Sequence, residues 1–318
     1  MKVVLLAGGV GGAKMAEGLA ANVDRDLAVI VNTGDDLELH GLAVWPDHDT
    51  VAYTLAGLDD EIRGWGVRGE SWTVMDRLEE LGGSEWFRLG DKDLATHIWR
   101  TDRLRAGARP TEVALEFAAA LGIESRILPM ADEPVRTEVR TDEGWLEFQE
   151  YFVHRHQEPT VREVRFRGAG SARATPEVIA AIGHADVIVF APSNPIVSID
   201  PILAVTGLRP ALEEARARRI PMAAVSGIVG GKAIKGPADR MLASLGEEVS
   251  ALGVARRFAG LLSHFVLDRV DATLEPAIRE LGLETLVADT IMTGDESRAR
   301  FADAVLRFVT SPAGAPHR

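Results

Sequence analysis

Four aspartates stand close together in "NTGDDLELHGLAVWPDHDT": Asp35, Asp36, Asp47 and Asp49, with His40 and His48 among them. Carboxylates gathered beyond a strand end offer the hard oxygen ligands that Mg²⁺ takes together with phosphate oxygens and water. The plainer alternative is a solvated acidic loop, because Asp and Asn favour turns for local reasons. The two histidines show no zinc-ligand spacing. A second group precedes this one, in "LAGGVGGAK". A strand, a glycine loop and a helix in succession present backbone N–H groups to a phosphate at the helix N-terminus. Gly8, Gly9, Gly11 and Gly12 are the candidates, yet neither standard motif is met. Lys14 stands where a dinucleotide loop needs its third glycine, while Ala13 and Met15 replace the second glycine and the hydroxyl residue of a P-loop.

Three further groups carry chemistry. "WFRLGDKDLATHIWR" crowds Arg88, Asp91, Lys92, Asp93, Thr96 and His97 into a loop and the start of a helix. Asp93 reads as an N-cap or first-turn acid. Arg88 and His97 are candidates for contacts to a polar substrate. "VFAPSNPIVSIDPIL" ends a buried strand in Ser193 and Asn194, fixed between two prolines. That turn suits a nucleotide phosphate or base, or is a plain turn with Ser198 as helix cap. "VSGIVGGKAIKG" is a second glycine turn, with Gly230, Lys232 and Lys235 as a possible anion site or a mobile surface loop.

The elements that must position these residues follow from periodicity. "VVLL", "LAVIVN", "DVIVFAPS" and "PMAAVSGIV" read as buried parallel strands, alternating with amphipathic segments such as "TPEVIAAIG" and "RPALEEARARR". This is the rhythm of an α/β, doubly wound, mostly parallel Rossmann-like sheet, whose ligand crevice lies beyond the strand carboxyl ends. The rhythm stops between residues 58 and 122. That stretch reads as a helical insertion holding Trp65, Trp72, Trp86 and Trp99, between core segments 1–57 and 123–318. "EPVRTEVRT", "GWLEFQEYFVHRH" and "VREVRFRG" alternate with period two and read as a few antiparallel strands, extending the sheet or forming a flap.

Length and composition bound the function. The 318 residues allow one large domain with an insertion or two domains. A formal net charge of −13 argues against a nucleic-acid or anionic-membrane binder. The absence of cysteine excludes disulfides and thiolate chemistry. No apolar run reaches membrane-spanning length, and a cytoplasmic protein is expected. The tail "SPAGAPHR" reads as an end without a structural role.

Taken together, "GGVGGAK", "VNTGDDLELHG", "PDHDTVAYTLAG", "RGWGVRGES", "WFRLGDKDLATH", "RILPMADEPVRTEV", "FQEYFV" and "APSNPIVSIDPIL" resemble the 2-phospho-L-lactate transferase family, CofD (FbiA in mycobacteria). The blocks occur in the family's order and span most of the chain, and the last fifty residues are less alike. The resemblance implies a transferase of coenzyme F(420) biosynthesis, dependent on Mg²⁺ and homodimeric. Such an enzyme passes a phospho-three-carbon acid from a guanosine-diphosphate-activated donor to the deazaflavin alcohol Fo, and GMP leaves. It implies Fo contacts at Asp49 and Arg88, with Thr96 and His97 beside them. Asp35, Asp36 and Asp49 become the candidate metal set, and Asp49 and Asp35 the candidate catalytic residues; Asp49 is equally a candidate base. Gly8, Gly9, Gly11, Gly12, Ser193, Asn194, Gly230 and Lys232 would hold the guanosine diphosphate. The insertion's tryptophans are candidates to stack on the deazaflavin. Two other classes remain. A non-catalytic nucleotide-sugar-binding regulator of the YvcK type shares the glycine-rich opening. An NAD-dependent oxidoreductase rests on fold analogy and lacks the acidic ribose residue.

Overall fold

The computed structural model describes residues 1–311, so the expected tail lies outside the described residues beyond Ser311. Short runs of Val, Ile and Leu, apolar on both sides, make the central strands. The first strands are β1 (Val3–Ala7), β2 (Leu27–Val31), β3 (Leu37–Leu39), β4 (Leu42–Val44) and β5 (Arg126–Pro129). β6 (Arg136–Thr141), β7 (Gly144–Glu147), β8 (Glu163–Arg167), β9 (Val187–Phe190) and β10 (Met222–Val225) follow. The chain then adds β11 (Ile228–Val229), β12 (Lys232–Ala233), β13 (His264–Asp268) and β14 (Glu284–Ala288). Seven of these form one sheet in the order β14-β13-β10-β9-β1-β2-β5, with every pairing parallel.

The chain runs outward from β1 through β2 to β5, then returns to β9 and runs the other way. The strand order therefore reverses between β1 and β9, and ligand crevices of open α/β sheets form at such a point. Successive residues of each strand serve opposite cores. Val3, Leu5, Val29 and Ile127 pack on one face with α1 (Gly9–Val23), α2 (Pro46–Leu55) and the C-terminal helix Asp295–Thr310. Val4, Leu6, Ile30 and Leu128 pack on the other, with helices Pro176–Gly183, Leu208–Ala217 and Ala251–Phe258.

The stretch 58–122 holds α3 (Thr73–Glu80), α4 (Asp91–Arg105) and α5 (Pro110–Ala120). Met75 of α3 and Leu94 of α4 share a small core with Leu37, Leu39 and Val44 of the β3–β4 hairpin. α5 instead buries Phe117 and Ala118 against the central sheet, as a crossover helix to β5.

The period-two segments form a separate sheet, β7-β6-β8, and do not extend the main one. Its strand β7 stops at Glu147, and Glu150–His154 is a π-helical turn where continued alternation predicts strand. The reason is visible in the spacing: buried Phe148 and Tyr151 and half-buried Phe152 stand at i, i+3 and i+4, which is one helix face.

Candidate functional site

The crevice is built where β1 and β9 end. Gly8, extended, precedes α1, and Gly9 takes the left-handed conformation, φ +61°. The Ser193 hydroxyl donates to the Gly8 carbonyl at 2.7 Å and accepts the Gly8 N–H at 3.2 Å, closing the two strand ends on each other. Gly11 faces the Pro192 carbonyl so closely that a Cβ would lie 2.3 Å from its oxygen. Asn194 caps the following turn, its Oδ1 accepting from the Ile196 and Val197 amides at 3.0 and 3.4 Å. The cap is thus Asn194 and not Ser198, whose side chain lies against Gly8.

Asp35 and Asp36 lie in the loop after β2, whereas Asp47 and Asp49 stand in the first turn of α2. A single acidic loop was the expectation; proline at the first position of α2 starts a helix inside it. All four carboxylates are buried. Asp47 accepts the Gly9 N–H at 2.7 Å and the Asn32 amide at 2.9 Å, so a carboxylate already sits at the N-terminus of α1. Burial nevertheless pushes Asp47 up to about 6, with those two bonds opposing it. Burial also pushes Asp35 well above the carboxylate range, aided by the neighbouring Asp47 charge. Asp36 moves the same way, against the pull of Arg136 and Arg100. Oδ1 of Asp35 and Oδ1 of Asp36 are buried without a hydrogen-bond partner. Repelling carboxylates with idle oxygens are a donor set that a hard divalent cation fits.

Asp49 differs. Burial, the largest single influence, would raise it, but the Arg100 guanidinium together with His48 and His97 outweighs burial and holds the carboxyl well below the usual range. Arg100 donates from Nη1 to Oδ2 at 3.0 Å and from Nη2 to Oδ1, and its guanidinium lies 4.4 Å above the Trp45 ring. His48 Nδ1 lies 3.4 Å from the same carboxylate, and burial keeps that imidazole neutral at lower pH than usual. His97 is close too, its Nδ1 3.7 Å from Asp49 and its Nε2 3.4 Å from Asp93. Asp93 accepts the Tyr53 hydroxyl at 2.7 Å, and that hydroxyl also lies 2.9 Å from Thr96. Asp93 is therefore a first-turn acid and not a cap; Glu70 takes the Lys92 and Asp93 amides instead. One ligand atom each of Asp49, Asp93 and His97 lie within 4.8 Å of one another, but Arg100 among them already supplies the positive charge.

The expected acceptor residues divide. Thr96 and His97 join the Asp49 network, while Arg88 turns to α3, where it pairs with Asp76 and Glu79 and lies 5.5 Å from the Trp72 ring centroid. Trp65 and Trp72 meet edge to face, Trp86 stacks on His154, and Trp99 packs on Phe117. The Gly230–Gly231 turn closes the β11–β12 hairpin, with the Gly230 amide on Asp271 and Lys232 exposed. Lys14 and Lys235 line a cleft of about 140 Å³ with Arg298, Glu61 and Trp65. Sequence reasoning passed over Arg100 and Arg136. On "HIWRTDRLR" and "VRTEVR" they look like surface arginines; burial distinguishes Arg100, and its place beside Asp36 distinguishes the half-buried Arg136.

These features define a class: a doubly wound α/β protein with a buried acidic crevice at its switch point. The chain belongs to the CofD family, described as 2-phospho-L-lactate transferase, whose model matches residues 3–293. It is 37% identical over 306 residues to a 2-phospho-L-lactate transferase of Methanosarcina mazei, covering 96% of this chain and 99% of that one. It is 42% identical over 315 residues to a phosphoenolpyruvate transferase of Streptomyces griseus, covering 97% and 98%. Among solved structures, a UPF0052-family protein of Bacillus halodurans superposes with TM-score 0.62 over 96% of this chain and 98% of that one, at 15% identity. That likeness is one of fold. Among the described residues no helix is long and apolar enough to cross a membrane.

Proposed function

We propose that this protein moves 2-phospho-L-lactate or phosphoenolpyruvate from a guanosine-diphosphate-activated donor to the alcohol Fo, releasing GMP, in coenzyme F(420) biosynthesis. The observation that carries the reading is the pair of buried carboxylates Asp35 and Asp36, each with an oxygen that has no hydrogen-bond partner, beside the glycine turn at the sheet's reversal. The family and the names of its members at 37–42% identity support the transferred group.

A ribityl hydroxyl of Fo attacks the phosphorus that bears the three-carbon acid, its O–P bond forms, and the bond to the GMP oxygen breaks. The hydroxyl proton leaves to solvent or a carboxylate. Such transfers depend on position and charge more than on covalent help. Asp35 and Asp36 are the ligands proposed for Mg²⁺, which when bound supplies Lewis-acid neutralisation of the diphosphate. Asp49 was the third candidate ligand. Held ionised on Arg100, it makes a weak base, and accepting a hydrogen bond from Fo suits it better. Thr96 and His97 flank it. The Gly8–Gly12 turn and Ser193-Asn194 line the donor side, and the exposed β11–β12 hairpin offers Gly230 and Lys232 to the same nucleotide. A homodimer and a cytoplasmic location complete the reading.

The test is mass spectrometry of the product from Fo with lactyl, enolpyruvyl and glyceryl donors in turn, with and without Mg²⁺. Formation of a phospho-acid ester of Fo with at least one donor is expected. No product with any donor, alongside tight binding of a nucleotide sugar, would sink the reading in favour of the regulator.

A further inference from the structure

Arg136 opens β6, and the strand is pressed onto the loop that carries Asp35 and Asp36. The neighbouring Thr137 N–H donates to the Gly34 carbonyl at 2.7 Å, and a Cβ on Gly34 would lie 2.4 Å from the Thr137 hydroxyl. β6 thus brings its first residue to the rim of the acidic crevice. The Arg136 charge acts on Asp36 more strongly than Arg100 does. Yet Arg136 makes no ion pair among the described residues. The other arginines of this small sheet are all engaged: Arg140 with Glu163, and Arg165 and Arg167 with Glu138. Among the described residues, the only hydrogen bond of the half-buried Arg136 side chain runs from Nη1 to the Val135 carbonyl, at 2.9 Å. A guanidinium has five donors in a planar fork, and that fork matches a carboxylate in two parallel bonds. Four donors idle beside a crevice for anions are a binding group without its ligand.

We infer that Arg136 receives the carboxylate of the three-carbon acid while its phosphorus lies over the Asp35–Asp36 carboxylates. The inference rests on the proposed transferase reading. In 2-phospholactate and in phosphoenolpyruvate the carboxylate is attached to the carbon that bears the phosphate oxygen. A group at the crevice rim therefore reaches the carboxylate while the phosphate stays within. The two acids differ in the bond between the phosphate-bearing carbon and the remaining one, single in the first and double in the second, and the fork does not touch that bond. Arg136 then recognises the class of acid and leaves the choice between its members to other side chains.

The experiment compares wild type with Arg136→Gln and Arg136→Lys. It measures kcat and KM for the lactyl and enolpyruvyl donors, Mg²⁺-supported GDP binding by calorimetry, and Fo binding by its fluorescence. Because the side chain is half-exposed and, among the described residues, bonds only to the preceding Val135 carbonyl, both variants are expected to fold. Arg136→Gln should raise KM about tenfold or more for both donors alike, as loss of a bidentate charged contact does. GDP and Fo affinity should stay within about twofold of wild type, and Arg136→Lys should recover part of the loss. Unchanged donor KM overturns the inference. GDP affinity falling as far as donor KM rises overturns it too, since the contact is then to phosphate; so does a penalty confined to one donor. A wild type that transfers neither acid overturns the functional reading and this inference with it, whereas an active wild type with an indifferent variant overturns the inference alone.

Discussion

The two charges at the heart of the crevice behave in opposite ways because only one of them has a cation. Asp49 has Arg100, with both of its oxygens bonded and Trp45 stacked behind the guanidinium. Removing one member of such a buried pair leaves the other uncompensated, at a cost of about 3–5 kcal/mol. Arg100→Met should therefore lose that much stability in urea titrations. The double variant Asp49→Leu/Arg100→Met should regain most of it, because a well-packed apolar pair is close to neutral in exchange for a buried ion pair. Turnover should be restored by neither, separating the stability of the pair from its use. Asp47 titrates the other way. Its carboxyl holds a proton up to about 6 in the fold, against about 3.8 in the unfolded chain. The folded state is the better proton binder between those values, so this group's contribution to stability falls as pH rises from 4 to 6, by up to about 1.4 kcal/mol per unit. Urea midpoints in chelator should show that decline. Added Mg²⁺ should raise the midpoint more at pH 8 than at pH 5, where it competes with protons for the carboxylates.

At the scale of elements, the crevice depends on how closely β1, α1 and the turn after β9 approach. Gly11→Ala would drive a methyl into the Pro192 carbonyl, 2.3 Å away. Overpacking of this kind costs about 1–3 kcal/mol, and the shift it forces falls on the Gly8–Ser193 contact. Loss of GDP affinity out of proportion to the loss of stability is the expected result, read by calorimetry beside thermal melting. The same elements explain what the chain discloses in advance. β1, β2, β9 and β10 are continuous apolar runs, so their place in a buried parallel sheet is legible. β5, β13 and β14, as "RILP", "HFVLD" and "ETLVA", are no shorter but carry polar or charged residues at their ends, and β14 is a half-exposed edge. Nothing local marks them. That the glycine turn, Asp35, Asp36 and Ser193-Asn194 stand at strand ends is legible from the apolar runs that precede them. The separation of Asp47 from Asp49, one on Gly9 and Asn32 and the other on Arg100, is a matter of which side of α2 each faces and emerges only on packing. Arg136 is illegible for a similar reason: its five-residue context alternates like its fully paired neighbours.

At the scale of the molecule, the loop after α2 is tied to the core through an arginine as well as through apolar packing. Arg298, buried at the start of the C-terminal helix, bonds Glu17 of α1 and Glu61 of the loop beyond α2. Because the Glu61 side chain is 54% exposed, its ion pair should contribute under about 1 kcal/mol. Glu61→Gln should leave the global unfolding midpoint nearly unmoved while the loop around Arg63 is cut faster by trypsin, since local opening there no longer breaks a charge contact. Equal cleavage rates would show that other contacts hold the loop. The proposed homodimer belongs to this scale as well, and sedimentation at micromolar protein should give about twice the chain mass.

The join between β1 and β9 has a consequence for how the protein is made. Val3 pairs with Val187, and the Ser193 hydroxyl completes the turn at Gly8. A ribosome must therefore release about three-fifths of the polypeptide before its first strand finds its second neighbour. Until then β1 offers an open apolar edge, a template for mispairing between nascent chains. Synthesis that stalls before that point yields a fragment with half a sheet and no crevice, and a natural client for a chaperone.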